Sequence, residues 1–470
     1  MKPASSLVIL ILASVSTAVA QYHAPGAMSP PGGQGSSNVH VLSHVALGRV
    51  FTVGDIEVEQ ELSRPYSYVP RLDGTTHSAG MNIISLKDPT RSRSIYYWRI
   101  DKPELHQGIG GLQNKYFKLK GRYYDAQSFQ FGAGSPDADM GAVLLDVTGL
   151  PDTATIKEVG RMRAKDTPGG FHNIYNYKHS DGRVLMFATV AAPRANIYDM
   201  EKFLGGDPNQ GLVGSVPNPN PGTSGGMRGY HDFYVGYDPG THQDKFYGAG
   251  AGGYYVYDVT NTSAPKLLVS VTGVAGVTMG HTFTPTPDGR YAVSETEYQY
   301  APLRILDLKP ALDGQVQTIS RPIGAWISDW TTNPHNHEVR WPYVFVSAYE
   351  EGLQIFNMMD PTNPYTVGYY DTYDGPHRMG RAPAGDPELR WNDRTYPIIP
   401  ASEVVNGAFG VDVRNADGLI VISDLATGFW AFKMDGFDGW NGHQWGVPNI
   451  SSAQDWDNGP DGAPKPGKIS

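Results

Sequence analysis

The 470-residue chain contains no cysteine. That absence excludes disulfides, thiolate metal sites, cysteine nucleophiles and a cysteine-anchored lipid, so stability must come from the fold itself. No Lys/Arg run or basic patch is present, and the formal net charge is −10. A nucleic-acid partner therefore has no electrostatic support. No Gly-rich phosphate loop, nucleophile elbow or His-Glu-x-x-His helix occurs, so nucleotide chemistry and hydrolysis by those routes have no support either. Beyond the extreme N-terminus there is no long apolar stretch, which excludes a transmembrane segment in the mature chain.

That N-terminus reads as an export signal over residues 1–20. Lys2 precedes an apolar run from Leu7 to Val15, and Ala18-Val19-Ala20 forms a cleavage site before Gln21. The mature protein is expected to be exported: periplasmic, secreted or at the cell surface. Residues 21–38 are rich in Pro, Gly and Ser and read as a flexible leader. The folded body is expected over 39–435. A tail over 436–470 is rich in Gly, Trp and Pro, and Trp440, Trp445 and Trp456 are candidates to dock it on the body.

Gly (56) and Pro (36) make up about a fifth of the chain, and Tyr (28) outnumbers Trp (9). Such a mixture favours many short strands joined by turns. A hydrophobic share of 40% is enough for a core. Seven segments share one pattern, hydrophobic-x-hydrophobic-hydrophobic, mostly ending in Asp or Asn. They are Met81–Leu86, Ala142–Val147, Ala195–Met200, Tyr254–Val259, Leu303–Leu308, Leu353–Met358 and Phe429–Met434. Five of them run into a Pro-containing turn, where Pro stops the strand. Spacings of about 45 to 75 residues suit four-stranded blades with loop insertions. The expected fold is all-β: a seven-bladed β-propeller of four-stranded antiparallel blades. A pair of sandwiches is the competing arrangement, and it would not give seven matching segments. Val39–Val45 is the candidate strand for closing the ring. Two insertions, Leu204–Met227 and Tyr373–Val404, are long enough to cover one face.

The repeat resembles that of the LVIVD-repeat propellers, in which a hydrophobic strand ending in Asp leads into an Asp-Pro-x-x-Pro turn. Gly352-Leu353-Gln354-Ile355-Phe356-Asn357 followed by Asp360-Pro361-Thr362-Asn363-Pro364 carries the likeness most closely. It also extends to exported choice-of-anchor relatives, whose blades start with His-Asn or His-Asp pairs. The resemblance covers most of 39–434 and implies a propeller. It implies little about activity.

The candidate chemistry lies at the start of five blades. The tips read Phe171-His172-Asn173, Tyr230-His231-Asp232, Gly280-His281-Thr282, Asn336-His337-Glu338 and Gly410-Val411-Asp412. First strands line a propeller's channel, so equivalent positions form a ring. Aligned this way, His172, His231, His281 and His337 share one register, and His335 is an extra imidazole outside it. Because side chains alternate along a strand, either the histidines or the adjacent Asn173, Asp232, Thr282, Glu338 and Asp412 face the channel. Imidazoles facing inward suit Cu, Zn, Fe or Ni, with the carboxylates as supporting partners. Carboxylates facing inward suit Ca²⁺. Against both stands a structural role, since recurring His and Asp in propeller blades also hydrogen-bond between blades.

The metal candidates are thus His172, His231, His281, His335 and His337. The ligand-binding candidates are Asn173, Asp232, Glu338, Asp412 and Arg228. Arg194 is a second cation near the His strands that could hold an anion. Glu295 and Glu297, either side of Thr296, fall on one face and could act as an acid/base pair. Tyr349 reads as inter-blade packing.

Two functions fit. One is a monomeric interaction module presenting loops to a protein, a polysaccharide or a small ligand. The other is a metal-dependent oxidoreductase using the channel histidines, similar in plan to the selenium-binding/methanethiol oxidase propellers.

Overall fold

The structure is a computed structural model. It describes residues 34–48, 53–72, 79–106, 110–132, 134–164, 167–220, 229–297, 301–328, 333–373, 407–441 and 456–457. The expected signal peptide, Arg228, Trp445 and most of the 373–404 insertion lie outside them.

The seven patterned segments are the third strands of seven small sheets. Blade one spans 57–99, blade two 111–163, blade three 174–217, blade four 230–272, blade five 282–326 and blade six 336–370. Blade seven takes three strands from 408–434, and its fourth is Val39–Val45. That strand pairs antiparallel with Phe429–Met434, from Val39 opposite Met434 to Val45 opposite Phe429. The ring is therefore closed by joining the two ends of the folded body. Blade four differs from the expected plan. Thr318–Ile319 adds a fifth, parallel strand beside Ser270 and Val271. The segment read as one long insertion after Leu204 also contains a strand, Leu212–Pro217, which completes blade three against Arg194–Tyr198.

Why these residues make this fold follows from where each strand lies. Third strands are packed against a neighbouring blade on both faces. They are therefore apolar at successive positions rather than alternating, and Ala142, Val143, Leu144 and Leu145 are all fully buried. Fourth strands lie at the rim and are far more exposed, as in Lys157–Arg163. The Asp or Asn that ends the pattern has a local task. The Oδ1 atoms of Asp146, Asp199, Asp258, Asp307 and Asn357 each accept the N–H two residues on, at 3.0, 3.0, 3.0, 3.1 and 2.7 Å. Each side chain mimics a turn and redirects the chain toward the rim.

First strands of successive blades contact one another in a closed circle from blade one through blade seven and back to blade one. This circle is the channel wall. Parts of the tail lie against the body. The Trp440 Nε1–H donates to the carbonyl of Trp341 at 2.9 Å, and Trp456, 5% exposed, packs edge-on to Tyr116.

Candidate metal centre at the channel mouth

The register of the wall is set by a repeated hydroxyl. Near the end of the second strand, Ser128, Thr189, Ser347 and Ser423 each accept a first-strand N–H, from Gln113, Asn173, Asn336 and Gly410 at 3.1, 2.8, 3.2 and 3.0 Å. Those four residues are therefore equivalent, and so are the residues before them: Leu112, His172, His335 and Phe409. In blade five, His281 N–H donates to the Glu295 carbonyl as His335 N–H donates to that of Ser347.

The imidazole that belongs to the ring in blade six is thus His335. The sequence alignment placed His337 there, and the structure corrects it. Ring centroids run His172–His231 at 4.2 Å, His231–His281 at 4.0 Å and His281–His335 at 4.8 Å, and His335 then stacks on Phe409 at 3.8 Å. His337 lies two residues further down, opposite Val346, and is 3% exposed. Burial pushes its pKa down to about 3.

A second expectation also changes. Strict alternation would turn either the histidines or their neighbours away from the channel. Pairing instead slips at the start of the first strands, between Tyr230 and Asp232, Ala408 and Gly410, and Gly111 and Asn114. Such bulges re-aim side chains. The histidines meet at the mouth while residues one register position on reach across blades just below, Gln113 to Asp55 at 3.0 Å and Thr282 to Asn336 at 3.3 Å.

The polar set then splits into two levels. Asp55, Gln113, Asn173, Asp232, Thr282 and Asn336 form the upper one. Glu338 and Asp412 fall lower, with Glu57, Lys115 and Arg340. Lys115 meets Glu57 at 2.6 Å, and Arg340 meets Glu338 at 2.7 Å and Asp412 at 3.7 Å. Burial raises Asp232 to about 7, and burial with the charge of Glu338 raises Asp412 to about 7. Between the levels lies a cavity of about 40 Å³ lined by Asp55, Lys115, Asp232, His337 and Glu338, room for a few waters. The two guanidinium candidates do not extend the site: Arg194 turns to the Asn196 side chain at 3.0 Å, and Arg228 is not among the described residues.

At the mouth, outer partners hold the imidazoles. His335 donates Nδ1–H to the Phe409 carbonyl at 2.5 Å, and His172 donates Nδ1–H to Gln130 Oε1 at 2.6 Å. His281 Nδ1 shares a hydrogen bond of 2.7 Å with Glu295 Oε2. For His335 and His172 this fixes the tautomer and leaves Nε2 with its lone pair. His172 Nε2 accepts a hydrogen bond of 2.8 Å from His231 Nε2–H. Glu297 fills the remaining side, with Oε2 at 3.5 Å from His281 Nε2 and Oε1 at 3.9 Å from His335 Nε2. Donor atoms of His231, His281 and Glu297 all lie within 4.8 Å of one another. Burial lowers the pKa of His281 and drives that of His335 well below its usual value, so both are neutral, as ligands must be. In the sequence Glu297 stands out only as half of a carboxylate pair with Glu295. Gln130 and Phe409 carried no signal there.

Among known proteins, no family model and no curated protein matches this chain. The fold does match: the crystal structure of Raptor from Chaetomium thermophilum superposes with a TM-score of 0.52 at 9% identity. The match covers 85% of this chain and 29% of that one, so this chain spans less than a third of that protein's length. At that identity the likeness is one of fold alone. The chain is a seven-bladed β-propeller, an architecture commonly used as a protein-interaction module, and the LVIVD likeness rests on its repeat. Among the described residues, no helix is long and apolar enough to cross a membrane.

Proposed function

We propose that this is a metal-binding propeller, with one divalent transition ion at the channel mouth held by His172, His231, His281 and His335 and by Glu297. The observation that supports this reading most is the pairing of inner and outer partners. Imidazoles from four successive blades converge, and three of them hold their Nδ1 on a carbonyl, an amide oxygen or a carboxylate. Metal-ligating histidines keep their second nitrogen in this way. Glu297 adds a carboxylate to the same side, with Oε2 3.5 Å from His281 Nε2.

The donor set is mostly nitrogen with one carboxylate, which suits Cu, Zn or Fe and not Ca²⁺, an ion that takes oxygen ligands. Such an ion would supply a Lewis-acid or redox centre at the mouth. A metal-dependent oxidoreductase is the enzymatic form of this reading. Export is part of this reading, on the apolar run Leu7–Val15 and Ala18-Val19-Ala20, and would put the site outside the cytoplasm.

The test uses full-length protein without a His-tag, stripped with a chelator and reconstituted separately with Zn²⁺, Cu²⁺ and Fe²⁺. Elemental analysis after desalting should find about one ion per chain for at least one of them. No retained ion under any of the three conditions would overturn the reading.

A further inference from the structure

We infer that Tyr349 is the residue that makes Glu297 a metal ligand, by holding Oε1 so that Oε2 is presented to His281. The inference rests on the metal reading of the channel mouth and adds a residue to it.

Tyr349 follows the second strand of blade six, and Glu297 lies beyond the second strand of blade five. Its phenol donates to Glu297 Oε1. The opposite oxygen, Oε2, is the one nearest His281 Nε2, at 3.5 Å. A carboxylate held at one oxygen offers a single directed donor instead of swinging between one- and two-point contact. The phenyl ring does a second job. It lies edge-on to the His335 imidazole, with centroids 5.2 Å apart and planes at 64°. One side chain therefore braces two members of the donor set on two blades.

The backbone supports a placement task over simple packing. Tyr349 has φ of 39°, in the left-handed region that side chains other than Gly avoid. Such strain persists only where surrounding contacts enforce it, and it concentrates at functional sites. Here the enforcement is visible. Tyr349 N–H donates to the Ala408 carbonyl at 2.9 Å, and Ala408 N–H returns a bond to the Tyr349 carbonyl at 2.8 Å. Gly407, with φ of 98°, has no room for a Cβ, which would sit 2.2 Å from the Tyr349 carbonyl oxygen. The turn of blade six is thus clamped to the start of blade seven. The residue is 3% exposed, so the phenol has no solvent-facing purpose.

The experiment compares wild type, Tyr349→Phe, Glu297→Gln and the double variant, each titrated with Co²⁺ and Zn²⁺ after stripping. Phe keeps the ring against His335 and removes only the hydroxyl. Tyr349→Phe should weaken Co²⁺ binding about 10- to 100-fold and change the visible d–d spectrum of the Co²⁺ form. In the Glu297→Gln background the same change should add nothing further, because the two residues act through one donor. Thermal unfolding of the metal-free proteins checks that each variant folds. Wild-type affinity and an unchanged spectrum in folded Tyr349→Phe would overturn the positioning role and leave the metal reading standing. So would full additivity of the two losses. Wild type that takes up neither of these ions nor Cu²⁺ nor Fe²⁺ overturns both.

Discussion

The imidazole of His335 lies 4.8 Å from that of His281, while His337, two residues on, pairs with Val346 and stands outside the chain of ring contacts. Two histidines separated by one residue therefore have different environments. One closes a ring of donors. The other is a neutral, buried imidazole beside a small cavity. The distinction yields separable expectations for the two positions and for the architecture that creates them.

Ring closure depends on Val39–Val45. Its removal would bare the edge of Phe429–Met434 and unseat Val39 from its contacts with blade seven. A chain beginning at residue 46 should unfold at distinctly lower urea than the full chain, by at least ~3 kcal/mol, and should aggregate through the exposed edge. Urea unfolding with light scattering checks this; an unchanged midpoint would mean the strand is dispensable.

The Asx turns should be independent. Asp258→Ala and Asn357→Ala each remove the acceptor of a turn N–H, and Asp258→Ala also removes the acceptor of the Gln243 Nε2–H. Each should cost about 1 kcal/mol, and the pair should cost about the sum because the blades differ. Urea midpoints of the two single variants and the double report it.

Asp125 gives a pH signature away from the histidines. It is buried between blades one and two, accepts from Asn114 Nδ2 at 2.5 Å, and burial raises its pKa to about 8 from the ordinary 3.8. A raised carboxyl pKa means the folded state binds a proton that the unfolded chain has released. Its contribution is fully present below pH 3.8 and is lost as pH rises through about 8. Relative to Asp125→Asn, wild type should lose stability on the order of 1 kcal/mol per pH unit across that window. Parallel urea curves at pH 5, 6.5 and 8 would show it, and a pH-independent difference would contradict it.

How much was legible beforehand follows from the same physics. The third strands are buried on both faces, so their pattern is strong, and all seven segments were found with boundaries close to those observed. The closing strand was legible too, because a propeller must join its ends. The site was only half legible. Aligning on His337 assumed that equal spacing means equal register, and the bulges at the first-strand starts break that assumption. A better signal lay in the dipeptide His-Asn, which recurs at 172–173 and 335–336. The equivalence of Ser128, Thr189, Ser347 and Ser423 carries the same information. Gln130 and Tyr349 could not be found this way, since each reaches the site from a loop or turn whose direction no periodicity encodes.

The most direct test sets His335→Leu beside His337→Leu in otherwise native, untagged protein. Both changes are buried and similar in size, so folding loss is comparable and can be read from metal-free melting curves. Metal content after Zn²⁺, Cu²⁺ or Fe²⁺ reconstitution is the deciding measurement. The four-histidine mouth predicts that His337→Leu retains the wild-type stoichiometry and that His335→Leu loses at least ~90% of it at limiting metal, a tenfold or greater drop in affinity. Retention by His335→Leu with loss by His337→Leu, or no difference between them, would contradict the account.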